Sequence, residues 1–374
     1  MKVVISGVNL VNGGPLQVFK DAIVAFSNRP DVHLVCLVND MGLFTSLKRD
    51  NVQFIEFNKV KSSWLLRLKF EYFTCYKLSA VLDADIWMAM HDISPRVVTK
   101  NQFVYCHNPS PFYKSGFKDL WFDFKFFLFT NFYKSLYGIN INSNKAVIVQ
   151  QSWIADFFKT EFNVNNVIVA KPGVGNTDVY SISSKQNIIG KGCLKLFYPS
   201  LSRTFKNFEL LLEAVNIISK IRPDCYNNIE LTLTLNPNGS RYEAFLYSKY
   251  KHLNNIDFVG MLTKEEVEEY YRQCSIVVFP SKLETWGLPI TEAKALNKPI
   301  LLSNLPYAKE TLGNYNNACF FNPNDPLELA QKLLSIYDGH DIFYEVEFSE
   351  SEKCCNSWKL LVDKILDISE EVKA

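Results

Sequence analysis

The sequence predicts an α/β protein built from two doubly wound parallel sheets, each in its own domain, and three observations carry that expectation. Short apolar runs rich in β-branched residues alternate with segments of helical periodicity, the βαβ pattern of a parallel sheet. The alternation stops once, at "KPGVGNTDVYSISSKQNIIGKG" (171–192), whose Gly, Pro, Asn and Ser content is that of a linker. The 374 residues suffice for two domains. The expected organisation is a first domain over 1–172, a linker over 173–192 and a second domain over 193–352, with a helix over about 353–374 returning to the first.

In the first half, "KVVISG" reads as a buried strand, "VNLVNGGP" as a loop and "LQVFKDAIVAFSN" as a helix. Further strands are expected in "VHLVCLVN", "VQFIEF", "IWMAMH", "FVYCH", "AVIVQQ" and "VIVAKPG". The second half restarts with "LKLFYPS" as a strand and "NFELLLEAVNIISKI" as a helix. "IELTLTLN", "IDFVG", "SIVVFPS" and "PILLSN" follow as strands, and "TKEEVEEYYRQC", "LPITEAKALN", "PLELAQKLLSIYDG" and "SWKLLVDKILDISEEV" as helices. Two such domains are expected to leave a cleft facing the C-terminal ends of both sheets, where open α/β sheets bind ligands.

Forty basic residues face 39 acidic ones, and a net charge of +1 gives no global field that would favour nucleic acid. Nine cysteines, an odd number without a C-x-x-C, fit buried thiols in a reducing compartment better than disulfides or a zinc site. The opening "MKVVISGVNL" does not read as a signal peptide, and no run of about 20 apolar residues is present. A cytoplasmic location is expected.

"FPSKLETWGLPITEAKALN" places Glu284 in a loop beyond a strand end and Glu292 about one turn into the next helix. Pro289 suits a first helical turn, and the amides of Trp286, Gly287 and Leu288 with those of that turn can face an anion. A carboxylate only accepts hydrogen bonds, so its natural neutral partner is a pair of hydroxyls, as on a sugar or ribose. The alternative is a helix start whose acids merely complement the dipole. Spacing alone leaves both open.

The longer stretch "FPSKLETWGLPITEAKALNKPILLSNLPYAKETLGNYNNACFFNPND" resembles the signature segment of family-four glycosyltransferases. These are metal-independent GT-B enzymes of two Rossmann-like domains that transfer sugars from nucleotide diphosphates with retention of configuration. The resemblance implies that Glu284 contacts the transferred sugar and Glu292 the ribose, with the amides of Trp286, Gly287 and Leu288 on sugar and phosphate. "YPSLSRTFKNFELLLEAV" is similar to the segment whose cations hold the diphosphate, here Arg203 and Lys206. Ser202 stands where the family commonly has Gly, and the Arg–Lys gap is tighter. "SGVNLVNGGPLQVF" resembles the N-terminal loop facing the donor, with Gly13 and Gly14 permitting close approach. It is no G-x-G-x-x-G fingerprint, and the chain has no Walker pattern.

By the same resemblance "FVYCHNPSPFY" makes His107 a catalytic-site residue, ahead of His91 in "IWMAMHDISP", and the loop at Met261 and Leu262 borders the base. A His ending an apolar strand can equally be structural. "DAD" (83–85) precedes a strand instead of following one, so it reads as a turn, and neither a metal nor another cofactor is expected. "PFYKSGFKDLWFDFKFFLFTNFYKSLYG" (111–138) interleaves rings with lysines, and "SSWLLRLKFEYF" (62–73) has the same character. Each reads either as core or as a surface lying in a membrane interface, with Trp121 and Phe122 inserted.

The implied partners are a nucleotide-sugar donor and a glycan or polyprenyl-linked oligosaccharide acceptor in bacterial surface polysaccharide synthesis, with peripheral contact at the inner membrane. A nucleotide-sugar epimerase of the same fold is the alternative enzyme, and a non-catalytic nucleotide-sugar-binding subunit the alternative without catalysis.

Overall fold

A computed structural model describes residues 1–171, 192–349 and 354–370, so the expected linker lies almost wholly outside the described residues. The first sheet has seven parallel strands: β1 (Lys2–Ser6), β2 (His33–Val38), β3 (Val52–Glu56), β4 (Ile86–Ala89), β5 (Asn101–Cys106), β6 (Ala146–Val149) and β7 (Val167–Val169). Their spatial order is β3-β2-β1-β4-β5-β6-β7. The second sheet holds β8 (Leu194–Tyr198), β9 (Ile229–Leu233), β10 (Ile256–Phe258), β11 (Ile276–Phe279), β12 (Ile300–Ser303), β13 (Tyr315–Phe321) and β14 (Tyr344–Val346). Its order is β10-β9-β8-β11-β12-β13-β14, parallel except for β14, which runs antiparallel to β13.

The central strands read as unbroken apolar runs because helices cover both faces of each sheet. "IWMA" in β4, "AVIV" in β6 and "IVVF" in β11 are buried at every position. The helix Gly13–Ser27 buries Phe19, Ala22, Ile23 and Phe26 against β1 and β2, and Leu361, Val362, Ile365 and Leu366 of the helix Trp358–Glu370 complete the same core. Each of these Phe, Ile, Leu and Val side chains contributes about 1.5–3 kcal/mol by leaving water. Gly7 follows β1 because nothing larger fits: a Cβ there would lie 2.4 Å from the Phe19 ring.

Two strands, β13 and β14, are not legible as apolar runs: β13 begins "YNN" and β14 is "YEV", largely exposed at the sheet edge. The expected turn at Asp83–Asp85 is present. The helix Cys75–Leu82 ends on Asp83 in the left-handed region (φ 47°), and the Asp85 carboxylate accepts the Lys2 N–H at 2.8 Å.

The described residues divide into two compact units, one of 1–112, 130–171 and 354–370, the other of 113–129 and 192–349. Residues 113–129, which chain order assigns to the first domain, thus group with the second. Phe122 packs on Tyr242 and Phe245, and Phe126 packs on Phe205. The stretch 111–138 is also not one helix. It breaks at Asp123 (φ −142°, ψ 72°) between the helices Phe117–Phe122 and Phe124–Gly138.

Candidate active site

Each sheet has one point where strand order reverses, between β1 and β4 in the first and between β8 and β11 in the second. Loops leaving neighbouring strands there diverge and open a crevice at the strands' C-terminal ends. Of the sequence-predicted residues, Gly13 and Gly14 follow β1, Arg203 and Lys206 follow β8 and Glu284 follows β11, whereas His107 follows β5 and Met261 and Leu262 follow the edge strand β10.

In the second unit the chain leaves β8 into a 3-10 turn, Thr204–Lys206, preceded by Arg203 in extended conformation. Asn207 follows in the left-handed region (φ 60°), and its amide donates to the Pro280 carbonyl at 3.1 Å and the Pro323 carbonyl at 2.9 Å. Lys282 N–H donates to the Phe205 carbonyl at 2.8 Å, so the loops after β8 and β11 are stitched together. That stitching brings Lys206 to Glu284: Lys206 Nζ donates to Glu284 Oε1, with the two side chains only 16% and 12% exposed. Arg203 stands apart, 52% exposed, donating from Nη1 to Asp123.

The Trp286-Gly287-Leu288-Pro289 turn starts the helix Leu288–Ala295 from Gly287 at φ +78°, a conformation that favours glycine. Trp286 Nε1 donates to Thr291 Oγ1 at 3.2 Å, and its carbonyl accepts from Thr311 Oγ1, which fixes the turn. Glu292 Oε2 accepts the Tyr271 hydroxyl at 2.9 Å, and burial pushes its carboxyl pKa upward. The two glutamates therefore have separate partners, Lys206 for one and Tyr271 for the other. Met261 and Leu262 lie in the loop beyond β10, Met261 largely exposed, just before a helix capped reciprocally by Thr263 and Glu266.

In the first unit Gly13 opens its helix at φ +68°, and a Cβ on Gly14 would meet nothing within 4 Å. His107, just beyond β5, is buried against the Tyr105 ring (4.5 Å between centroids), and burial lowers its pKa. Its backbone N–H donates to Asp92 Oδ1 at 2.7 Å. Asp92 itself is held at φ 76°, accepts also from Asn108 N–H, and has Tyr133 OH on its other oxygen at 3.4 Å.

His91 lies in the same network. Its Nε2 is 3.3 Å from Ser6 Oγ, its Nδ1 is 3.3 Å from Glu71 Oε1, and its carbonyl accepts from Arg67 Nη2 at 2.6 Å. Burial raises the Glu71 pKa to about 8 and drives that of His91 well below its ordinary value, so a protonated Glu71 faces a neutral imidazole. Sequence reading passed over Arg67, Glu71 and Asp92. The one available signal was a lone acid within the aromatic run "LKFEYF".

Two Rossmann-like sheets define the class, and solved structures share the whole architecture. The lipopolysaccharide outer core galactosyltransferase WaaB aligns over 100% of both chains with TM-score 0.64 at 14% identity. An Anabaena protein, HepE, in complex with UDP and glucose, aligns over 100% of this chain and 98% of its own with TM-score 0.56 at 15% identity. At that identity the likeness shows the fold. Residues 180–345 match the family model "Glycosyl transferases group 1". The O-antigen chain mannosyltransferase RfbU of Salmonella typhimurium is 22% identical over 228 residues, 60% of this chain and 58% of RfbU. The D-inositol 3-phosphate glycosyltransferase of Paenarthrobacter aurescens is 21% identical over 187 residues, 47% of this chain and 44% of its own. The chain spans about half the length of the curated relatives it matches.

Proposed function

We propose that the protein is a retaining glycosyltransferase that moves a sugar from a nucleoside diphosphate to a glycan acceptor in bacterial surface polysaccharide synthesis. The observation that carries this reading is the Lys206–Glu284 pair, with Arg203 three residues earlier on the same loop, at the strand-order reversal of a unit that matches group 1 glycosyl transferases. Two cations fixed at a strand end can neutralise the charge that builds on a departing diphosphate.

Glu284 would then hold the transferred sugar and Glu292 the ribose, while Met261 and Leu262 border the base. For Gly13, Gly14 and His107, which lie in the first unit, donor contact and a catalytic role are proposed on the resemblance alone. In front-face transfer the donor phosphate takes the acceptor proton, and the protein supplies orientation and electrostatic stabilisation. Arg203 and Lys206 then do the work a metal would do, so EDTA should leave transfer intact.

The acceptor is proposed to be lipid-linked and the protein to work at the membrane surface. Among the described residues no helix is long and apolar enough to cross a membrane. Trp64, Leu65 and Phe73, and further on Phe117, Trp121 and Phe124, are exposed beside Lys61, Lys69, Lys118 and Lys125. Trp121→Ser should reduce co-sedimentation with anionic liposomes without harming the fold, whereas Phe122 is packed and is no clean probe.

The test of the reaction is a nucleotide-sugar panel with and without polyprenyl-linked glycan. Nucleoside diphosphate should be released only when acceptor is present. Conversion of the sugar without acceptor would identify an epimerase, and absence of any binding would overturn the proposal.

A further inference from the structure

Residues 113–129 precede the Arg203–Lys206 turn by about eighty positions, yet they fold directly onto it. Asp119 is 2% exposed, and its carboxylate is fully engaged. It accepts from Gly116 N–H at 2.7 Å, from Tyr113 OH at 3.4 Å, and from Thr204 Oγ1, the residue that opens the turn. The Asp119 carbonyl then accepts Asp123 N–H at 2.8 Å, closing the helix Phe117–Phe122, and the chain leaves that helix with the Asp123 carboxylate on Arg203. Phe126 adds its ring to Phe205, 5.2 Å between centroids. One short segment thus touches residues 203, 204 and 205 in succession.

We propose that Asp119 and Asp123 are positioning residues of the diphosphate clamp, Asp119 fixing the turn through Thr204 and Asp123 aiming the Arg203 side chain. The inference rests on the reading of Arg203 and Lys206 as that clamp. A long, half-exposed arginine left alone samples many rotamers, and binding would have to freeze them. A carboxylate on one amine holds the guanidinium fork in place and leaves its other N–H groups for phosphate oxygens. Ordering the side chain beforehand removes that cost from the binding step. Asp119 acts one step further back, because a buried carboxylate that accepts the Thr204 hydroxyl ties down the backbone on which Arg203 is carried.

The test is calorimetric titration of the full chain with uridine and guanosine diphosphates, with the melting temperature followed as a control of the fold. Asp123→Ala and Thr204→Val should each weaken nucleoside diphosphate binding by about 3- to 10-fold. Thr204→Ser, which keeps the hydroxyl, should restore it. In an Arg203→Ala background Asp123→Ala should have no further effect, since it acts through that side chain. An equal loss in that background would mean general structural damage and would overturn the inference. So would unchanged or tighter binding by Asp123→Ala, the latter meaning that the carboxylate competes with the diphosphate. Arg203→Ala binding as wild type would remove the clamp reading, and this inference with it. A weakened Arg203→Ala beside an unaffected Asp123→Ala removes the inference alone.

Discussion

At the β1/β4 reversal Glu71 and His91 face each other at 3.3 Å with 0% and 2% exposure, while at the β8/β11 reversal Lys206 pairs with Glu284 at 16% and 12% and Arg203 stands half in solvent. The two points share a topology and differ in what burial has done to their charges. In the first unit desolvation holds an acid protonated and a base neutral, with Arg67 the cation they keep. In the second the groups lie nearer to solvent, where a charged ligand can reach them. The same crossover geometry can therefore serve as a locked polar core or as an open ionic site, and the depth of the side chains decides which.

The sharpest way to break this comparison is to remove one arginine from each side. Arg67→Ala strips a buried cation from Glu71, Asp92 and the His91 carbonyl and should cost about 3–5 kcal/mol of stability. Arg203→Ala loses a half-exposed ion pair, worth less than about 1 kcal/mol. Urea unfolding of the two variants checks this, and similar costs would erase the distinction.

Ligand binding should show the reverse. Lys206→Ala should weaken nucleoside diphosphate binding by about 1.5–3 kcal/mol, the worth of a charge-assisted bond. Glu292→Ala should loosen nucleotide and nucleotide sugar alike, whereas Glu284→Ala should spare the nucleotide and damage transfer. Isothermal titration beside a transfer assay separates the two roles, and the opposite pattern would exchange them.

A proton test sharpens the first side. Glu71 releases its proton near pH 4.5 when unfolded and near pH 8 when folded, so the folded state holds more protons in that window and stability falls as pH rises through it. His91, kept neutral by the fold, destabilises only as pH drops below 6.5 and adds no slope above it. From pH 6.5 towards 8 Glu71 adds a slope of up to about 1.4 kcal/mol per pH unit. Glu71→Gln should flatten it, as denaturation at several pH values would show. Gly287→Ala should cost about 1–2 kcal/mol for placing a side chain in the left-handed region, measurable as a lowered melting temperature.

Much of this was legible in the sequence because it is local. "VVIS", "IWMA" and "IVVF" announce buried parallel strands, and "ETWGLPITE" carries its loop, turn and helix within nine residues. Lys206 and Glu284 could be singled out separately, but their bond depends on how the loops after β8 and β11 meet. Asp119 and Asp123 were hidden for the same reason. Their partners are 85 and 80 positions away, and the rings around them suggested core or membrane instead. Strand β13 was missed because Asn316 and Asn317 break the apolar pattern at its start, while its buried half is only "AC" and "F".

The contact between Gly7 and Phe19 has a consequence for how this chain can change over generations. The Phe19 ring fills the volume a Cβ on residue 7 would need, so position 7 is not free to drift alone. Mutagenic libraries selected for folding should recover Gly7→Ala only together with a smaller residue at 19. The single change Phe19→Leu should survive at a modest cost. The pair therefore defines an ordered route, with the helix residue changing first and the loop residue second.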